Sequence, residues 1–70
     1  MIIVAFHTTA EAFAFEAACK KAGVTGKLGT VPRTVSAGCG FAWHAPDVAQ
    51  EEVRAFIQQQ NLEVQGVYVQ

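Results

Sequence analysis

The order of the segments that favour strands and helices predicts an α+β protein with a ferredoxin-like fold. The pattern is β-α-β-β-α-β within 70 residues, the arrangement of a four-stranded antiparallel sheet with two helices on one face. No linker, repeat or low-complexity tract interrupts the chain, so we expect residues 1–70 to form a single domain. The chain is 51% hydrophobic and 16% charged, which predicts more apolar surface than so small a core can bury.

The first half of the chain predicts a buried strand followed by a helix. Residues 2–6 form an uninterrupted apolar run, as expected for a central strand covered on both faces. Thr8 or Thr9 can then cap a helix that runs to about Ala22 and ends at Gly23. Helical spacing places one stripe of small and apolar side chains toward the sheet: Ala12, Phe15, Ala18, Cys19 and Ala22.

The second half of the chain predicts three further strands and a second helix. Residues 24–31 are rich in Gly and Thr and suit an edge strand, whereas residues 41–45 predict an apolar strand. Pro46 and Asp47 open the second helix, which ends in the polar residues 58–61. The last strand includes Leu62, Val64, Val67 and Val69, with Gly66 as a bulge where the alternation changes phase.

The predicted topology leaves one face of the sheet without a helix. Alternate residues of segments 2–6 and 41–45 would lie on this open face, and they are almost all apolar. We therefore expect a homodimer or larger assembly that buries the face.

Charge and cysteine content narrow the partners and the compartment. Five basic and six acidic residues give a formal charge of −1, and no basic patch is present, which argues against nucleic acid or an anionic membrane as the main partner. The apolar start of the chain lacks a basic region and is too short for a signal sequence. With only two cysteines, Cys19 and Cys39, we expect a cytoplasmic protein with free thiols.

One loop carries the residue types of a reactive thiol. Residues 32–40 read Pro-Arg-Thr-Val-Ser-Ala-Gly-Cys-Gly, and the glycines beside Cys39 give a ligand or partner access to the sulfur. The predicted topology brings this loop to the sheet edge where the first helix begins, next to His7. The N–H groups of a helix N-terminus, a protonated His7 and Arg33 would all stabilise a thiolate. We therefore expect Cys39 to be a reactive cysteine.

This loop and its surroundings resemble a known family. Three segments are similar to the Se/S carrier-like family of small bacterial domains. They are Phe6-His7-Thr8-Thr9 after the apolar strand, Ala22-Gly23-Val24 at the helix end, and above all Pro32-Arg33-Thr34-Val35-Ser36 followed by Cys39-Gly40. The resemblance covers nearly the whole chain. Relatives often have a further Ser or Thr between the motif Ser and Cys, where this chain has Ala37-Gly38.

The resemblance implies a function in selenium or sulfur metabolism. Cys39 would be the carrier thiol that holds a persulfide or selenopersulfide, with Pro32, Arg33, Ser36 and Gly40 as the motif around it. The chain would be a carrier rather than a turnover enzyme. Its partners would be the proteins that donate and accept the sulfur or selenium atom.

Other functions remain open from the residues alone. A non-catalytic, dimeric binding or regulatory module would use the apolar sheet face, and Cys39 would then only pack. A thiol redox protein is disfavoured because no C-x-x-C arrangement supplies a resolving cysteine. The spacings of the two cysteines and of His7 and His44 match no zinc pattern, so we expect neither a metal nor a cofactor. Cys19 lies on the helix stripe, where we expect it to fill space in the core.

Overall fold

A computed structural model describes residues 1–35, 38–46 and 48–70, and it confirms the predicted fold class. The elements in chain order are strand β1 (Ile2–Ala5), helix α1 (Thr9–Ala22), strand β2 (Lys27–Thr30), strand β3 (Phe41–Ala45), helix α2 (Gln50–Gln59) and strand β4 (Gly66–Val69). The four strands form one antiparallel sheet in the order β2-β3-β1-β4. Within the described ranges, neither helix has the length and hydrophobicity needed to cross a bilayer.

Strand β1 is central, as its apolar run predicts. It pairs with β3 on one side and β4 on the other, and none of its residues is more than 4% exposed. Ile2 and Val4, with Phe6 just beyond the strand, face the helices and join the main core. Ile3 and Ala5 point to the opposite face and are also fully buried. Both faces of this strand are therefore covered.

Helix α1 begins and ends as predicted. Thr8 is the N-cap, and its hydroxyl accepts a hydrogen bond from the Glu11 N–H at 3.2 Å. Gly23 ends the helix in the left-handed conformation. The buried stripe is narrower than predicted, because Ala12, Phe15 and Cys19 are buried whereas Ala18 is half-buried and Ala22 is exposed.

The elements after α1 depart from prediction at the bounds of β2 and at the start of α2. Strand β2 is limited to four residues, because Val24 N–H instead bonds the Cys19 carbonyl in the turn that ends α1. Helix α2 begins at Gln50 rather than at Pro46 or Asp47; its N-cap is Ala49, which has no side-chain oxygen to offer, and Asp47 lies outside the described residues. Gly66 pairs with Ala5, and the Ala5 carbonyl accepts the N–H of the preceding Gln65 at 2.7 Å, so residues 65 and 66 both face Ala5 as in a β-bulge.

The sheet face opposite the helices is not open, which corrects the prediction. Ile3, Ala5 and Ala42 are neighbours on that face, and all three have zero exposure in a single chain. The segment that follows β2 folds across them: Val35 is buried, and the Thr34 hydroxyl accepts a hydrogen bond from the Gln70 side-chain amide.

The contact between Thr34 and Gln70 defines the path of this segment. The segment leaves β2 at one edge of the sheet and reaches the end of β4 at the other edge, so it passes over β3 and β1. We call residues 31–35 the covering segment. Because it buries the apolar face within one chain, that face gives no reason for oligomerisation, and the oligomeric state stays a prediction.

Candidate functional site

The sulfur of Cys39 is held by backbone groups at the end of two strands. Cys39 is half-buried, packs against the helix-side core, and is separated from the start of β3 by Gly40 alone. Its thiol is a donor to the Phe6 carbonyl at 3.4 Å, with the Phe41 carbonyl farther away at 3.8 Å. The Phe41 N–H in turn donates to the sulfur at 3.4 Å. The thiol therefore has both an acceptor for its proton and a donor to its sulfur.

The glycines beside Cys39 allow this position. Gly38 lies so close to the strand β1 exit that a Cβ there would be 3.0 Å from the His7 carbonyl oxygen. Its N–H donates to the side-chain oxygen of Gln65 at 3.2 Å. On the other side, Gly40 has a positive φ of 78°, and its carbonyl accepts from Val31 N–H, which closes the base of the loop. Close backbone approach thus places the sulfur beside Phe6.

The segment carrying His7 meets the cysteine loop as the topology predicts, but the His7 side chain binds elsewhere. Its Nδ1 lies 3.2 Å from Glu11 Oε1, and the same oxygen accepts the His7 backbone N–H at 2.7 Å. The His7 side chain is 59% exposed. Within the described ranges, no hydrogen bond joins His7 and Cys39.

The sequence predicts that the N-terminus of α1 stabilises a thiolate at Cys39. In the structure, the side chain of Glu11 takes that position. Partial desolvation acts to raise the pKa of Glu11. Other interactions outweigh this desolvation and hold the pKa of Glu11 below its usual value. They are hydrogen bonds from the backbone and side chain of His7, the charge of the His7 imidazole, and a hydrogen bond from the Thr8 backbone. The carboxylate of Glu11, rather than the Cys39 sulfur, therefore takes up donors at the N-terminus of this helix.

Arg33 lies on the other side of the sheet from the Cys39 sulfur. With Thr34 it lines an open groove along the end of β4, beside Tyr68 and Gln70. Arg33 is exposed, and among the described residues it has no ion pair or hydrogen bond. Cys39 packs on the helix side of the sheet, so the structure does not bring these two motif residues together. Ser36 lies outside the described residues.

Comparison with known proteins assigns the chain to a family. Residues 1–69 match the family described as "Putative Se/S carrier protein-like". The chain belongs to this family. No curated protein and no solved structure matches it. The family match agrees with the resemblance seen in the sequence and extends over all but the last residue.

The two thiols of this Se/S carrier-like protein differ in environment. Cys19 is completely buried in the core, and burial raises the pKa of its thiol to about 11. Cys39 is only half-buried. A reagent or partner can therefore reach Cys39 more readily than Cys19.

In the part of the chain that the structure describes, no three His, Cys, Asp or Glu side chains cluster closely enough to hold a metal ion.

Several contacts of this site are absent from the sequence-based prediction. The spacing of Thr8 and Glu11 fits a capping box, and this pattern could have predicted that Glu11 reaches back toward His7. The carbonyl of Phe6 and the N–H of Phe41 are backbone groups, so no residue type signals them. Gln65 approaches Gly38 from 27 residues away, and no local pattern predicts such a contact.

Proposed function

We propose that this protein carries a sulfur or selenium atom on Cys39, as a persulfide or selenopersulfide, between a donor and an acceptor protein. The family match supports the general function. The observation that carries the assignment to Cys39 is the contrast between the two thiols, since Cys19 is sealed in the core and Cys39 is half-buried at the end of a loop. The chain serves as a carrier and not as a turnover enzyme.

The transfer needs no oxidant or reductant. The Cys39 thiolate attacks the outer sulfur of a donor persulfide, R–S–SH, and forms a new S–S bond to Sγ. The S–S bond of the donor breaks, and the donor leaves as the thiolate RS⁻, which takes up the proton that Cys39 lost. An acceptor thiolate then attacks the outer sulfur of loaded Cys39 in the same way, and Cys39 is regenerated. A selenium atom can be transferred by the same sequence of bond changes.

The backbone contacts of the sulfur suit its resting and reacting states. The Phe6 carbonyl at 3.4 Å can accept the thiol proton only while the thiol is protonated. The Phe41 N–H can donate to the sulfur in the thiol, the thiolate and the loaded form. We infer that loading replaces the contact with Phe6 and keeps the contact with Phe41.

The other motif residues have more distant parts in this proposal. His7 is fixed by Glu11 near the loop, where its exposed imidazole can meet a partner or exchange a proton with it. Arg33 lies on the opposite face of the sheet, so we assign it to contact with a partner and not with the carried atom. A role for Ser36 beside the sulfur remains a prediction from the family motif.

The proposal is tested by loading the protein with a small persulfide donor and measuring intact mass and peptide masses. The wild-type protein and Cys19→Ala should gain the mass of one sulfur atom on the peptide that contains Cys39. Cys39→Ser should gain nothing. Absence of the adduct, under conditions in which Cys39 is still alkylated by iodoacetamide, would refute the carrier function. That result would favour a binding module in which Cys39 only packs.

A further inference from the structure

The β-bulge before β4 fixes the backbone of Gln65. The register pairs Ala5 with Gly66, and in a regular antiparallel ladder Ala5 would exchange hydrogen bonds with that residue alone. Here the Ala5 carbonyl accepts the N–H of Gln65 at 2.7 Å. The preceding residue, Val64, packs against the helix-side core. Gln65 is therefore held by a backbone hydrogen bond and by a core neighbour, and a bulge of this kind redirects a side chain out of the regular alternation.

The Gln65 side chain is directed at the loop that carries the thiol. Its Oε1 accepts the N–H of Gly38 at 3.2 Å. Gly38 immediately precedes Cys39 and lies against the His7 carbonyl, where a Cβ would come within 3.0 Å of the oxygen. The Cys39 thiol donates to the carbonyl of Phe6 at 3.4 Å. The two residues that follow β1 thus contact the loop from one side, and Gln65 holds it from the start of β4.

The loop has few other attachments at this end. Gly38 is exposed, and among the described residues its hydrogen bond with Gln65 is the one that joins it to the rest of the fold. The nearest backbone bond in the chain, from Val31 N–H to the Gly40 carbonyl at 2.9 Å, closes the base of the loop on the other side of Cys39. The position of Gly38 against β1 therefore depends on the Gln65 oxygen.

We propose that Gln65 is a positioning residue for Cys39, whose side-chain oxygen holds the loop against β1 and keeps the sulfur half-buried at the Phe6 carbonyl. Without this acceptor the Gly38 N–H turns to water, and the loop leaves β1 more often. The sulfur is then open more often to small thiols and alkylating reagents. In a carrier, such exposure would release the sulfur or selenium atom before it reaches the acceptor protein. This last consequence rests on the proposed function, whereas the position of the thiol does not.

Three substitutions of Gln65 separate the acceptor oxygen from the size of the side chain. Gln65→Met keeps the length and removes the acceptor. Gln65→Asn keeps the amide but is one methylene shorter, so its oxygen cannot reach Gly38. Gln65→Glu keeps both the length and an acceptor oxygen. Gln58→Met, at an exposed position of α2, makes the same chemical change away from the loop and is the control.

Alkylation of Cys39 by iodoacetamide in the folded protein measures how often the loop opens. Gln65→Met and Gln65→Asn should raise the rate about two- to tenfold, as expected for the loss of one ordinary hydrogen bond. Gln65→Glu should not exceed the wild-type rate, because it keeps the contact and its negative charge disfavours a nearby thiolate. Gln58→Met should leave the rate unchanged. Gln65→Asn keeps the test valid if Gln65→Met fails to fold.

Hydrogen exchange of the Gly38 amide follows the contact without using the thiol. In ¹⁵N-labelled protein, this amide should exchange about two- to tenfold faster in Gln65→Met and Gln65→Asn than in the wild type. Gln65→Glu should restore the slow exchange. A general loosening of the fold would not be reversed by this conservative variant, so the rescue identifies the acceptor oxygen as the group that acts.

A third measurement separates this role from the carrier function. After loading with a persulfide donor, Gln65→Met should lose its sulfur to 2-mercaptoethanol about two- to tenfold faster than the wild type. If no protein can be loaded, the carrier function is refuted, and the alkylation and exchange rates still decide the role of Gln65. Wild-type alkylation rates in both Gln65→Met and Gln65→Asn would overturn the proposal. Equal acceleration in Gln65→Glu and Gln65→Met would also overturn it, because the acceptor oxygen would then make no difference.

Discussion

The Sγ atom of Cys39 lies 3.4 Å from the carbonyl oxygen of Phe6, a residue that is itself completely buried. Because Phe6 is fixed in the core, its carbonyl is a rigid acceptor for the thiol proton. In the proposed carrier cycle, deprotonation or loading of the sulfur would remove this hydrogen bond and leave the Phe41 N–H as its donor. The thiol is thus held by backbone groups at the end of β1 and the start of β3.

Alkylation should distinguish the two cysteines. Burial raises the pKa of Cys19 to about 11, so at pH 8 only about one thousandth of this thiol is ionised, and the sulfur is also inaccessible. We expect iodoacetamide to modify Cys39 and not Cys19 in the folded protein, and both cysteines in urea. Peptide mass mapping measures the two rates. Equal rates under native conditions would contradict the burial of Cys19.

Gly26→Ala should destabilise the fold through a steric conflict. The new Cβ would lie 2.5 Å from Trp43 Nε1 and 2.8 Å from the His44 carbonyl oxygen. The backbone at residue 26, the indole or strand β3 must therefore move. We expect a loss of about 1–3 kcal/mol in the free energy of unfolding, measured by urea denaturation.

Gly23→Ala is the matched control for this substitution. Gly26 has a φ of 156° and Gly23 a φ of 75°, both positive, but a Cβ at Gly23 would meet no atom within 4 Å. Gly23→Ala should therefore lower the free energy of unfolding only through backbone strain, by about 1 kcal/mol. Losses of the same size in the two variants would show that contact with Trp43 does not determine the requirement at Gly26.

Removal of the Gln70 side chain should loosen the covering segment. Gln70→Ala deletes the hydrogen bond to the Thr34 hydroxyl. We expect the free energy that holds the covering segment on the sheet to fall by about 0.5–1.5 kcal/mol, which raises the population with a detached segment about two- to tenfold. Trypsin cleavage after Arg33 should accelerate by the same factor. Gln58→Ala, at an exposed position of α2, is the control and should leave this rate unchanged. An unaltered rate in Gln70→Ala would show that the contact does not hold the segment.

The start of α1 should lose stability in acid. The folded-state pKa of Glu11 lies below its ordinary value, so the ionised carboxylate stabilises the fold. This contribution is present above the unfolded-state pKa of about 4.3 and is lost as the pH falls through the lower, folded-state pKa. We expect Glu11→Gln to reduce the decline of the unfolding midpoint as the pH falls below about 5. Glu63→Gln, at an exposed site, should preserve the wild-type decline, and identical profiles for all three proteins would refute this account of Glu11.

The sequence predicts the fold well because its strongest signals are local. The apolar run of residues 2–6, the cap at Thr8 and the glycine at position 23 define β1 and α1 to within a residue or two. The start of α2 is missed because Ala49 provides no capping side chain to mark it. The covered second face is missed for another reason: it depends on contacts such as Thr34 with Gln70, which are 36 residues apart.

The candidate site was predictable to the level of segments and not of side chains. Topology correctly predicts that the loop of Cys39 meets the segment of His7, as the approach of Gly38 to the His7 carbonyl shows. It does not predict that Glu11 binds the imidazole or that Arg33 lies across the sheet. Those outcomes depend on competition among hydrogen-bond partners and on the path of the covering segment, which residue types alone do not fix.

Isotope transfer from Cys39 tests the carrier function most directly. The protein is loaded with a heavy sulfur isotope from a persulfide donor, freed of excess donor, and mixed with an unlabelled acceptor thiol. We predict that the label leaves the Cys39 peptide and appears as a persulfide of the acceptor, with the Cys39 thiol regenerated. Cys39→Ser should transfer no label. Retention of the label on Cys39, or equal transfer by the Cys39→Ser protein, would contradict the carrier function.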